Sequence, residues 1–154
     1  MTQSETDKPW KPSEEMVQRE LDLCARLGKK WKCTVEMQHK YSVFDAVAHK
    51  NNTPQAFVEL RIINYAFYDL PDIMISLTKC TAGKNQTEIT GLPSLFVVHW
   101  KKDDTIGYID INKTYHGEPD YRVSKKGMNR LNDEAEIEVC RHVRTSQFKI
   151  LTDI

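Results

Sequence analysis

The chain has 154 residues, 40% of them hydrophobic and 29% charged, which suits one domain around one continuous core. Lysine plus arginine and aspartate plus glutamate number 22 each, so the formal charge is zero, which argues against a protein that coats nucleic acid by bulk charge. No apolar run approaches the ~20 residues of a membrane helix. The polar start, "MTQSETDKPWKPSEE", lacks the apolar stretch of a secretory signal, so a cytoplasmic protein with no membrane association is expected.

Residues 1–12 read as a flexible tail. Ser13 is a good N-cap, with Glu14 and Glu15 placed where a helix dipole favours acid. Val17, Leu21, Cys24 and Leu27 follow at helical spacing and predict one apolar stripe, ended by Gly28. Glu20 flanks that stripe as a boundary residue.

Three strands follow, over 33–38, 42–49 and 55–63. The turn chemistry of "KNNTP" makes the last two an antiparallel hairpin. Strands apolar on both faces are covered on both faces, so a helix is expected on each side. A second helix is expected over 70–83, from Pro71 and Asp72 to Gly83, followed by a polar loop. Residues 92–100 read as a buried strand, with 104–111 as its hairpin partner. Residues 112–133 show no period and predict an irregular loop. Residues 134–154 predict a β extension packed on the core, with Phe148 and Ile150 docking the C-terminus. The reading is a single α+β domain whose core spans 13–111.

Chemistry concentrates in "AFVELRIIN". Glu59 and Arg61 share one face of the most apolar strand, with Phe57 and Ile63. On the preceding strand Asp45 shares a face with Val43 and Val47, and one hairpin register brings it to Glu59. Two buried carboxylates repel, and each is costly to ionise. A divalent cation removes both objections, since magnesium is often held by one or two carboxylates with waters and substrate phosphate. A self-neutralising ion pair with Arg61 is the competing explanation. Cys24, Cys33, Cys80 and Cys140 are scattered and show no zinc spacing. No glycine-rich phosphate loop is present, and no organic cofactor is expected. Tyr65, Phe67 and Tyr68 could stack on bases or cap the core.

The helix, the hairpin carrying Asp45 and the Glu59-Leu60-Arg61 triplet, then a helix and a further strand resemble the PD-(D/E)XK nuclease superfamily. "FDAVAHKNNTPQAFVELR" is similar to small phage-type members. The resemblance implies a restriction-endonuclease-like α-β-β-β-α-β core, a mixed sheet flanked by helices. It implies Asp45 and Glu59 as ligands of Mg2+ or Mn2+, with the Leu60 carbonyl close by. Glu20 matches a further acidic position on the first helix. Phe44 stands where a proline is usual, and Arg61 replaces the motif lysine. Arginine stays protonated and cannot be a base, although it can offset charge in a transition state. Lys79, on the following helix, is the candidate replacement. The implied partner is DNA, the implied assembly a homodimer. The alternative is a catalytically silent protein of the same fold that binds DNA or another protein.

Overall fold

The computed structural model describes residues 13–39, 41–114, 116, 119–124 and 136–154. The tail expected over 1–12 lies outside the described residues. Helix α1 spans Glu14–Trp31, opened by Ser13, whose hydroxyl accepts the Met16 N–H at 3.2 Å. Gly28 does not end it. The helix runs one turn further and closes at Lys32, which adopts the left-handed conformation (φ +57°). Gly28 is instead buried where the helix crosses the following chain: a Cβ there would lie 2.8 Å from the Cys33 carbonyl oxygen. Leu23, Cys24 and Leu27 form the buried stripe, while Val17 and Leu21 stay 40% and 45% exposed. The packed face is therefore the C-terminal half of α1.

Strands β1 (Thr34–Met37), β2 (Ala46–Lys50) and β3 (Thr53–Ile63) form an antiparallel meander. The second helix departs from expectation. Asp72–Ser76 is strand β4, and α2 spans Leu77–Thr90. Ile73 and Ile75 are buried and alternate with half-buried neighbours, the two-residue period of a strand. Ser76 caps α2 by accepting the Lys79 N–H at 3.2 Å, and Gly91 ends it at φ +74°. The expected polar loop is thus the body of α2.

β5 (Ser94–Trp100) lies parallel to β3, and the β4–α2 crossover supplies the required connection. β6 (Thr105–Asp110) pairs antiparallel with β5, as its hairpin reading predicted. Within the stretch expected to be irregular, Ile111–Lys113 makes a 3-10 turn and Pro119–Ser124 forms β7. Residues 115, 117, 118 and 125–133 lie outside the described residues. β8 (Glu136–Arg144) pairs with both β7 and β4. β9 (Lys149–Leu151) closes the edge beside β6.

The strand orders are β1-β2-β3-β5-β6-β9 in a six-stranded mixed sheet and β4-β8-β7 in a smaller one. One core cluster joins α1 to Ala46, Val58 and Leu60 of the large sheet. The other joins Phe96, Val98 and Trp100 to Ile73, Ile75 and Val143 of the small sheet. Both faces of β3 are covered, one by α1 and the other, where a helix was expected, by the small sheet together with α2. Phe148 is buried, whereas Ile150 is 38% exposed, so Phe148 is the anchor of the C-terminal segment. Among the described residues no helix is long and apolar enough to cross a membrane.

Candidate active site

The β2–β3 register pairs Ala46 with Val58, so Asp45, one residue before β2, falls beside Glu59. Asp45 is pinned by its surroundings. Its Oδ2 accepts the Leu60 N–H at 2.9 Å, and its carbonyl accepts the Gln38 N–H at 2.8 Å. Asp45 is thus tied to β3 through its carboxylate and to the end of β1 through its backbone carbonyl.

Glu59 has a side chain only 12% exposed. Lys79, in the first turn of α2, places its Nζ 3.2 Å from Glu59 Oε1. The contact is an ion pair, and the ammonium is the cation that faces this buried oxygen. Burial pushes the Glu59 carboxyl up to about 7, the Asp45 charge adds to this, and Lys79 opposes it. The Lys79 ammonium also donates to the Val43 carbonyl and stands 5.7 Å from the centre of the Phe44 ring.

Glu20 belongs to the same electrostatic group. Its pKa is raised by burial and then by Asp45. One turn further along α1, burial pushes the Cys24 thiol up to about 11, with Glu20 and Asp45 adding to it. Glu20, Asp45 and Leu60 line a cleft of about 790 Å3, whose outer wall includes Met16, Val17 and Leu21.

Arg61 also lines this cleft, and its guanidinium extends to β4. Its Nη1 donates to the Met74 carbonyl of β4 at 3.1 Å, and its guanidinium carbon lies 5.3 Å from the centre of the Phe96 ring. It braces the large sheet against the small one. The structure thus gathers Asp45, Glu59 and Lys79, sets Glu20 within electrostatic reach, and directs Arg61 to β4. The aromatic stretch divides: Phe67 packs edge-on to Trp100 at 4.9 Å, while Tyr68 is 90% exposed.

The donors suit a hard divalent cation. Among the described residues no group of three or more His, Cys, Asp and Glu assembles into a metal cage. Asp45, Glu59 and the Leu60 carbonyl would be a partial ligand set, of the kind magnesium completes with waters and substrate phosphate. A cation there would offset both the burial of the Glu59 carboxyl and the Asp45 charge beside it, which together raise its pKa.

A six-stranded mixed sheet flanked by two helices, with its acidic pair on the β2–β3 hairpin, is the restriction-endonuclease-like arrangement. The fold is similar to that of Hjc, a Holliday junction resolvase from Archaeoglobus fulgidus, with a TM-score of 0.55 and 11% identity over 88% of each chain. A nuclease from a fusselovirus is also similar, with a TM-score of 0.49 and 13% identity over 88% of this chain and 82% of that one. Residues 7–151 match the family described as "Phage putative PDDEXK endonuclease", and the chain belongs to that family. No curated protein matches the sequence.

Proposed function

We propose that this protein is a metal-dependent nuclease that hydrolyses DNA phosphodiester bonds in the cytoplasm of the infected cell. The observation that carries this reading is the buried Glu59 carboxylate beside Asp45, with the Lys79 ammonium 3.2 Å from its Oε1. Such a group is costly unless a ligand completes it.

In this proposal Asp45, Glu59 and the Leu60 carbonyl hold Mg2+ or Mn2+. A bound ion would polarise the scissile phosphate and lower the pKa of the attacking water. The Leu60 N–H keeps Asp45 oriented as the sheet is built. Lys79 offsets negative charge developing on the phosphate, in the role the motif lysine would otherwise fill. Glu20, with its raised pKa, orients water at the open side of the cleft. Arg61 holds β3 to β4. A homodimer would present two such sites, one to each strand of a duplex.

The test is incubation with plasmid and branched DNA in magnesium or manganese. The expected result is cleavage that disappears in Glu59→Ala while the variant remains folded by circular dichroism. Undiminished cleavage by Glu59→Ala contradicts the assignment. DNA binding without cleavage by the native chain selects the silent binding module, which the zero net charge and the arginine at position 61 favour.

A further inference from the structure

Lys79 approaches Glu59 from α2, whereas Asp45 and Glu59 belong to the hairpin. A lysine side chain has a flexible four-carbon stem, so its ammonium stands in one place only if its surroundings hold it. Its backbone is fixed by the Ser76 cap. Its ammonium meets three groups: Glu59 Oε1 at 3.2 Å, the Val43 carbonyl, and the Phe44 ring at 5.7 Å from the centroid. An aromatic face within about 6 Å attracts a cation through its quadrupole.

The ring is itself immobile. Phe44 is 3% exposed and stacks on Phe57, with centroids 6.0 Å apart and planes inclined by 29°. Val43 and Phe44 are the two residues immediately before Asp45. One short bend thus presents the carboxylate and cradles the lysine that works beside it.

We propose that Phe44, together with the Val43 carbonyl, is a positioning residue that sets where the Lys79 ammonium stands during phosphodiester cleavage. This rests on the nuclease reading above. Leucine at position 44 would keep an apolar side chain but offer no aromatic face. The Lys79 side chain is 29% exposed, so an unrestrained ammonium has water to turn to. The loss falls on the chemical step, because the ammonium acts on the reacting phosphate and not on the rest of the DNA.

The experiment compares Phe44→Leu, Phe44→Tyr, Lys79→Met and the double variant Phe44→Leu/Lys79→Met. Phe44→Leu should lower kcat about tenfold with KM within about twofold, and Phe44→Tyr should keep most of the rate. In the Lys79→Met background, Phe44→Leu should change nothing further. Independently of turnover, the Lys79 ε-methylene proton resonance should be shifted upfield by the ring in the native protein and return to the ordinary lysine position in Phe44→Leu. An equal loss of kcat in both backgrounds, or an unshifted native resonance, overturns the proposal. If no variant cuts DNA but the native resonance is shifted, the nuclease reading fails while the Phe44–Lys79 contact stands. In that case the catalytic role proposed for Phe44 is overturned too.

Discussion

Glu59 carries the largest electrostatic cost in the site. Its carboxyl is pushed from 4.5 up to about 7, first by burial and then by Asp45, with Lys79 pulling the other way. An acid whose folded-state pKa is raised holds its proton more tightly folded than unfolded. Between 4.5 and about 7 the unfolded chain has released that proton and the folded chain has not, so stability falls as pH rises through this window. Above about 7 both states are ionised and the penalty is constant. In chelating buffer, Glu59→Gln should therefore gain stability over the native protein, by ~1–3 kcal/mol, as pH is raised from about 4.5 to about 8. Urea unfolding across that range checks it, and a pH-independent difference contradicts it. That Asp45 falls beside Glu59 was legible in the sequence, because a short hairpin sets the register; that Asp45 sits in a bend before β2, and not inside a strand over 42–49, was not. Nor was the direction of Arg61. A long side chain in the middle of a strand selects its partner from whatever packs above, here the Met74 carbonyl of a strand the sequence reading had made a helix.

The two helices were read with different success, for a physical reason. α1 announces itself through its cap, its acidic first turn and its apolar spacing. Only its end was misplaced, since glycine marks either a stop or a close approach. At Gly28 it is the approach. Gly28→Ala would gain about 1 kcal/mol of helix propensity, but its Cβ would meet the Cys33 carbonyl oxygen at 2.8 Å. The clash involves backbone, so the net effect should be a loss of ~1–3 kcal/mol in denaturant titration. A gain in stability would contradict the packing described for this crossing. α2 gave no such signal, because Gly83 is its only fully buried residue. It is held by polar contacts. Ser94 Oγ donates to the Gly83 carbonyl at 3.1 Å, and Asn112 Nδ2 donates to the same carbonyl at 3.0 Å and to Thr87 Oγ1 at 2.9 Å. A helix tied down by hydrogen bonds shows no hydrophobic period. β4 was hidden for a related reason: its partner β8 begins 60 residues after β4 ends, and no local pattern reports that pairing.

Across the fold, the site depends on parts brought from far apart. β3 and β5 lie side by side only because the β4–α2 segment crosses between them, and that crossing delivers Lys79 to Glu59. At the other end of the large sheet, Asp104 accepts both Arg26 guanidinium nitrogens, at 2.8 and 3.0 Å, and pairs with His99 at 2.7 Å. Arg26 also donates to the Ile154 carbonyl at 2.9 Å, so this cluster ties α1 to the C-terminus. Its hydrogen bond to Arg26 is the largest influence holding the Asp104 carboxyl down at about 2. The acidic pair was visible in the sequence because it is local, and the lysine was visible only as a candidate because its position depends on this long crossover. We propose that Lys79 supplies the cationic group at the Asp45–Glu59 pair, in place of Arg61. The most direct test is the single-turnover rate of DNA cleavage in magnesium by Lys79→Met against the native protein. The rate should fall by on the order of a hundredfold or more, as for loss of a charge-stabilising group, measured at a temperature where both proteins are folded by circular dichroism. Cleavage at the native rate by Lys79→Met would contradict the account.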